Sequence, residues 1–316
     1  MSLPVYKFVD LFSGIGGFRL GFQNERTECV FSSEIDRYAS KTYEANFGEV
    51  PSGDINRINI KQIVDFDILL AGFPCQPFSS IGLREGFKNK EKGNLFYNIL
   101  DILDKKNPAT LVLENVKGLT NHKTGKNKTI DIIFSELENL GYEIYSDIIN
   151  SENFGVPQAR ERLFIIGFKK QLFKEKLTFK IPKKNNSQKA DIGSFIESNL
   201  SNYSISKHLQ ENYLFKKNDN KPEILSTKSI GSAKTLVSSY HKIQRLTGSF
   251  VKDGPTGLRL LSENECKSLM GFPDSFRFPV SRTQMYRQLG NAVVIPVVQS
   301  ISETLIEALD KYLLKV

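Results

Sequence analysis

The sequence predicts an α/β protein built on a mostly parallel sheet, with a second, smaller and irregular domain. Apolar runs of strand length alternate with amphipathic stretches of helix length, each run ends at glycine or a polar residue, and this pattern stops near residue 170. The chain has 316 residues, 25% charged and 40% hydrophobic, as in globular proteins. No apolar run approaches the roughly 18 residues of a membrane span, so we expect a protein that does not cross a membrane. Its three cysteines cannot form a disulfide framework, so we expect a reducing, cytoplasmic location.

The predicted elements follow the hydrophobic pattern in chain order. Five apolar runs are predicted strands, at residues 6–12, 29–33, 68–71, 111–113 and 163–168. Amphipathic stretches predict helices at residues 36–47, 95–105, 129–140, 260–270 and 293–314. Strands that are apolar throughout are typical of a parallel sheet with helices on both faces. Every candidate polar site follows the end of one of these strands, where open α/β sheets bind ligands.

Positive charge is concentrated in one segment. The formal net charge is +8, yet residues 168–258 alone carry 17 Lys or Arg against 7 Asp or Glu. This distribution is typical of a polyanion-binding module, and a solvated lysine-rich surface is the alternative interpretation. We predict a large domain over residues 1–175, completed by residues 284–316, and a small domain over residues 176–283.

A glycine cluster follows the first predicted strand. Gly14, Gly16 and Gly17 allow a tight turn and a close approach of the backbone to a ligand. Their spacing does not fit the G-x-G-x-x-G dinucleotide fingerprint. Glu34 ends the second strand and could bind a ribose diol, while residues 53–55 could cap an adenine. Together they indicate an adenosine cofactor without a pyrophosphate group, although such a turn is often only structural.

Three further clusters carry chemistry. Cys75 follows the third strand between two prolines, which favours a nucleophile over a buried thiol, and residues 80–94 have the composition of a mobile lid. Glu114 ends the fourth strand, where a desolvated carboxyl could donate a proton. Arg160 and Arg162 are two residues apart and could hold an anion or a carbonyl oxygen from one side of an extended chain. Each of these residues alone also fits an ordinary surface or core position.

In order along the chain, these motifs resemble those of the C5-cytosine DNA methyltransferases, and most of all the small bacterial modification methylases. The similar segments are residues 10–18, 72–79, 114–116, 158–162, 259–274 and 288–293. The resemblance covers residues 5–168 and 259–305 and leaves the basic segment as the variable part. It implies a Rossmann-like methyltransferase fold that depends on S-adenosylmethionine.

The resemblance also implies residue roles. Cys75 would add to C6 of a flipped-out cytosine, Glu114 would protonate N3, Arg160 would bind O2, and Arg162 would brace the Cys75 loop. S-adenosylmethionine would supply the methyl group and leave as S-adenosylhomocysteine, with no metal. The implied cofactor contacts are Phe12, Gly14, Ile15, Gly16, Gly17, Glu34, Ile35, Asp54, Ile55, Pro74, Asn291 and Val293.

The basic segment would be the target-recognition domain, and double-stranded DNA the partner. The implied DNA contacts are Gln76, Ser79, Ser80, Asn115, Thr235, Leu236 and Arg245. Arg245 is the only arginine of the segment, and we predict that it contacts a guanine. We expect a monomer that protects host DNA in a restriction-modification system. The sequence reveals neither the DNA site that it recognises nor whether a restriction endonuclease is paired with it.

Three alternatives remain open. One eukaryotic branch of the same family methylates tRNA, but it has a different residue before Pro-Cys, whereas this chain has Gly72-Phe73-Pro74-Cys75. A catalytically silent DNA-binding paralogue would have lost the cysteine, the glutamate or the arginines, all of which are present. A Rossmann-type oxidoreductase is disfavoured by the glycine spacing.

Overall fold

The computed structural model describes residues 4–74, 95–173, 177–183 and 189–313. The strands in this part of the chain are β1 (Tyr6–Leu11), β2 (Thr27–Ser33), β3 (Ile68–Gly72), β4 (Thr110–Val116), β5 (Lys123–Thr124), β6 (Asn127–Lys128), β7 (Tyr142–Asn150), β8 (Glu161–Lys169), β9 (Glu223–Leu225) and β10 (Ser249–Val251). The α-helices are α1 (Gly17–Phe22), α2 (Arg37–Phe47), α3 (Leu95–Lys106), α4 (Thr129–Asn139), α5 (Lys207–Leu209), α6 (Glu263–Met270), α7 (Arg282–Asn291) and α8 (Ile295–Tyr312).

The central sheet has six strands in the order β2-β1-β3-β4-β8-β7. Strands β2, β1, β3 and β4 are parallel, while β8 runs antiparallel to both β4 and β7. The turn after β1, the end of β2 and the end of β4 therefore lie at one edge of the sheet. Because β8 is antiparallel, it begins at that same edge, where Arg162 is in register with Val116. The order and direction of the strands alone thus bring the predicted site residues to one end of the sheet.

The sheet is buried on both faces, as its composition predicts. Residues 68–71 of β3 are fully buried, and the apolar side chains that alternate along β1 enter two different core clusters. Helices α1 and α8 pack closely on one face of the sheet. Gly21 permits this approach, since a Cβ there would lie only 2.3 Å from Val298 Cγ1. The helical stretch Arg282–Tyr312 is apolar enough to cross a membrane by length and composition, but 67% of its most apolar window is buried in the fold.

The structure confirms the mostly parallel α/β architecture and corrects two omissions. Strand β7 was not predicted: it is an edge strand whose residues are mostly only half-buried, so its pattern lacks a continuous apolar run. Helix α7, which presents a polar surface around a few buried side chains, was not predicted either. The helix predicted at 260–270 begins later, at Glu263, where Ser262 and Glu265 form a capping box.

The segment between β8 and α6 is largely irregular and contains one short parallel pair, β9 and β10. Several of its apolar residues, among them Leu225, Tyr240 and Phe250, are buried and belong to the same core cluster as α8, whereas others, such as Ile230, are exposed. Arg259 closes this region: it is fully buried and its guanidinium contacts the carboxylates of Asp253 and Glu265, each at 2.8 Å. The division into two domains at residues 176 and 283 stays a prediction.

Candidate active site

A cleft of about 650 Å³ opens at the carboxyl edge of the parallel strands. It brings together most of the predicted cofactor contacts and three of the predicted catalytic residues. Those that line it are Phe12, Gly14, Ile15, Gly17, Glu34, Ile35, Asp54, Ile55, Pro74, Glu114, Asn115, Arg160, Arg162, Asn291 and Val293. Cys75, Gln76, Ser79, Ser80 and the predicted lid at 80–94 lie outside the described residues.

Gly16 is the one predicted cofactor contact in the described chain that does not line the cleft. It has a φ of 85° and precedes α1, and a Cβ there would lie 2.2 Å from the ring of Phe47. Its glycine is therefore required by the turn and by packing. Phe12 and Gly14 also have positive φ, of 54° and 55°, so the chain doubles back tightly at the cleft wall.

The end of β2 supplies a fixed carboxylate. Glu34 Oε2 accepts a hydrogen bond from Gly14 N at 2.8 Å, and its Oε1 accepts one from Asp36 N at 2.7 Å. Burial raises the pKa of the Glu34 carboxyl, and the two backbone N–H donors oppose that rise. Beside it, Ile35 is 73% exposed at the cleft. An apolar side chain next to an oriented carboxylate suits a ligand with a flat apolar face and a diol.

Two hydroxyls in the cleft wall are unsatisfied. Ser13 and Ser33 are buried, and their Oγ atoms have no hydrogen-bond partner within the described part of the chain. Both residues line the cleft. Neither was predicted to contact a ligand, because a serine beside a strand end carries no distinctive pattern. Buried polar groups normally have partners, so these hydroxyls indicate that a polar ligand completes the site.

Glu114 and Arg162 form the charged pair of the cleft. Arg162 Nε lies 3.1 Å from Glu114 Oε1, and the two side chains are only 19% and 12% exposed. Burial raises the pKa of the Glu114 carboxyl, while the neighbouring guanidinium groups of Arg162 and Arg160 oppose the rise. A carboxyl under these opposing influences can hold a proton or release it during a reaction.

Arg160 lines the cleft, but backbone carbonyl groups hold its guanidinium. It is 2% exposed, and its Nη atoms donate to the carbonyl oxygens of Leu236 at 3.0 Å, Gly290 at 3.1 Å and Ala292 at 2.8 Å. Burial lowers the pKa of its guanidinium to about 9. Arg162 thus presents its guanidinium beside Glu114, whereas the Nη atoms of Arg160 are bound to backbone carbonyl groups. The roles of the two arginines towards a bound base stay predictions.

Asn115 and Thr235, two of the predicted DNA contacts, form hydrogen bonds within the protein. Asn115 is buried and its Nδ2 donates to Phe73 O at 3.0 Å, so it holds the backbone just before Pro74. Thr235 Oγ1 donates to Ala159 O at 2.7 Å. The dipeptide that Thr235 begins is thus hydrogen-bonded to the segment that carries Arg160, at the junction of the basic segment and the cleft.

Arg245 is held inside the protein. It is 9% exposed, and its guanidinium donates to the carbonyl oxygens of Leu214 at 2.9 Å and Lys217 at 3.1 Å and pairs with the Asp219 carboxylate. This arrangement does not favour the predicted guanine contact, because three of its hydrogen bonds already have internal acceptors.

Comparison with known proteins identifies the family. Residues 6–307 match the family of C-5 cytosine-specific DNA methylases. The type II methyltransferase M.BsuFI of Bacillus subtilis is 54% identical over 302 residues, which cover 96% of this chain and 73% of that protein. M.MspI of a Moraxella species is 52% identical, with coverage of 96% and 71%.

Solved structures share the fold. The crystal structure of S. pombe Dnmt2 methyltransferase superimposes with a TM-score of 0.78 at 22% identity and covers 96% of this chain and 99% of that one. The Spodoptera frugiperda DNMT2 mutant structure gives a TM-score of 0.76 at 24% identity. The family match spans nearly the whole chain, and this protein therefore belongs to the C-5 cytosine-specific DNA methylases.

Proposed function

We propose that this protein is a type II modification methylase, which transfers a methyl group from S-adenosylmethionine to C5 of a cytosine within a short duplex DNA site. The observation that carries the proposal is the pairing of Glu114 with Arg162 in the same cleft as the glycine turn and Glu34. A proton donor, a cation and a cofactor cradle in one cavity are the parts that this reaction requires.

The cleft fits the cofactor by its chemistry. The Glu34 carboxylate would accept hydrogen bonds from the ribose hydroxyls, and the exposed Ile35 would cover the adenine. The unsatisfied hydroxyls of Ser13 and Ser33 would meet polar atoms of the bound molecule. When bound, S-adenosylmethionine supplies an electrophilic methyl group to the reaction.

The protein's own side chains would activate the base. Cytosine C5 is a weak nucleophile, and addition of the Cys75 thiolate to C6 makes C5 enamine-like. Glu114 would donate a proton to N3 as the thiolate adds, and Arg162 would hold both Glu114 and the O2 atom of the ring. After methyl transfer, the N3 proton returns to Glu114, and loss of the C5 proton together with departure of the thiolate restores the aromatic ring. The role of Cys75 rests on the resemblance of its motif.

The basic segment would supply affinity for DNA. Its lysines would contact phosphates, which gives salt-dependent binding without sequence preference. The target base must leave the stack to reach Glu114, at a cost of about a few kcal/mol. We further propose that the protein is a monomer of the cytoplasm, where it works beside a restriction endonuclease that cuts the same site.

The test is methyl transfer from labelled cofactor to duplex DNA and to tRNA. We expect label on DNA only, and bisulfite sequencing to show methylated cytosine at one recurring site. DNA with 5-fluorocytosine at that site should trap the wild type covalently, whereas Cys75→Ser should give neither trapping nor turnover. Label on tRNA alone would favour the RNA-methylating branch, and DNA binding without any transfer would identify a silent paralogue.

A further inference from the structure

The most exposed large apolar side chain in the described residues lies in the basic segment. Ile230 is 88% exposed. Single exposed apolar side chains are common and need no function when the chain around them is loose. The backbone around Ile230 is instead fixed by hydrogen bonds to a neighbouring segment, so a loose chain does not explain why its side chain is exposed.

Hydrogen bonds fix the backbone on both sides of Ile230. Gly193 N donates to Ser229 O at 3.0 Å, and Gly231 N donates to the Asp191 carboxylate at 2.7 Å. The residues before and after the isoleucine are therefore bound to a neighbouring segment, which prevents the side chain from turning inward to find cover.

The contact between these two segments is backbone to backbone. A Cβ on Gly193 would lie 2.6 Å from Ser229 O and 2.8 Å from Thr227 O, so only glycine allows the approach. Gly231 has a φ of 78°, which turns the chain sharply directly after Ile230. A rigid turn that displays one apolar side chain is suited to contact with a partner, because little conformational entropy is lost on binding.

The chain just after this turn is hydrogen-bonded to the segment that carries Arg160. Ala233 N donates to Pro157 O at 2.9 Å, and Ala159 N donates to Ala233 O at 2.9 Å. Ile230 and Ala233 are three positions apart in the chain, so their Cα atoms are at most about 11 Å apart. Two residues after Ala233, Thr235 lines a small cavity together with Arg162. Short chain connections through Ala233 and Thr235 thus tie the Ile230 turn to residues beside the cleft, and this is the ground for placing it by base pairs that flank a bound cytosine.

We propose that Ile230 is a specificity-determining residue, which contacts the apolar edge of a base in the groove of duplex DNA beside the target cytosine. Lys228, two residues earlier, is exposed and would lie by the phosphates of the same DNA. An apolar side chain discriminates bases through the C5 methyl group of thymine or the bare C5 edge of cytosine. This inference rests on the proposed activity on duplex DNA.

The test compares Ile230→Ala with Val64→Ala, a control on the catalytic side. Val64 is 53% exposed and lies just before β3, at the sheet edge opposite the cleft. Genomic DNA would be methylated by each protein and read by bisulfite sequencing, with melting temperature and cofactor KM measured in parallel. For Ile230→Ala we expect about tenfold weaker discrimination at one base pair of the site, with unchanged melting temperature, cofactor KM and salt dependence. Val64→Ala should match the wild type, and Ile230→Val should keep most of the discrimination.

Three results would overturn the inference: site preference unchanged in Ile230→Ala, an equal loss at all sites, or a loss accompanied by a lower melting temperature. The first would make Ile230 an ordinary surface residue, the second a contact without sequence preference, and the third a packing residue. Absence of methylation by the wild type would instead refute the proposed function, so the two failures are distinguishable.

Discussion

Gly290 in α7 is packed against the backbone of the basic segment, and Gly290→Ala should separate the two. A Cβ at this position would lie 2.2 Å from Ser238 N and 2.3 Å from the carbonyl carbon of Val237. Ordinary contacts of this kind begin near 3.4 Å, so one backbone must move by about 1.2 Å. Neither neighbour is a flexible side chain that could rotate away.

The expected cost follows from this overlap. Overpacking a well-filled site typically costs about 1–3 kcal/mol, and in a chain of 316 residues each kcal/mol lowers the melting temperature by about 1.5 °C. The movement would also reach the active site, since Arg160 donates to the carbonyl oxygens of both Gly290 and Leu236. A misplacement of about 1 Å can cost about 100-fold in rate.

The assay is thermal unfolding of Gly290→Ala together with kcat/KM for DNA. We expect a melting temperature about 1.5–4.5 °C below the wild type and a kcat/KM lowered by about tenfold or more. Gly118→Ala is the matched control, because a Cβ there meets nothing within 4 Å. A Gly290→Ala protein with the stability and activity of the wild type would refute the reasoning.

Three other changes are expected to have distinct effects. Glu114→Gln should lower kcat by about 10²–10⁴-fold, as measured in single-turnover assays, because the amide cannot supply a proton; a loss below about tenfold would mean that another group donates. Burial raises the pKa of the Asp10 carboxyl to about 8, so the folded state keeps a proton that the unfolded state loses above its ordinary pKa of 3.8. The contribution of Asp10 to stability should therefore be fully present below pH 4 and decline as the pH rises towards 8, by up to about 1.4 kcal/mol per pH unit. Asp10→Asn should abolish this slope in urea unfolding at pH 6 and pH 8, and an unchanged slope would contradict the assignment. Arg245→Gln should lower stability and weaken binding to cognate and non-cognate DNA equally, because its guanidinium is bonded to Leu214, Lys217 and Asp219. A loss confined to cognate DNA in a binding titration would restore the predicted guanine contact.

Much of the cleft was predictable because parallel strands end at one edge. Gly14, Glu34 and Glu114 each follow or end a strand, and this rule of topology places them together without knowledge of any side-chain contact. The edge strand β7 escaped prediction because one side of an edge strand needs no apolar neighbour, so its hydrophobic period is weak.

The partners of the Arg160 and Arg162 side chains were not predictable from the spacing of the two residues. Residues two apart point the same way only within a strand, and β8 begins at Glu161, so Arg160 precedes it while Arg162 lies in it. Arg162 therefore turns towards Glu114 at the adjacent β4, and Arg160 turns towards three carbonyl oxygens.

The sequence by itself determined the family, the order of the motifs and the strand ends that carry the predicted site residues. These features depend on local residue types and on the hydrophobic period. Only the tertiary structure decided which partners those residues have. The acceptors of Arg160 lie 76 to 132 residues away along the chain, and the closeness of Gly290 to Ser238 depends on how α7 packs. Such contacts form only when distant segments fold against each other, and no local pattern in the chain records them.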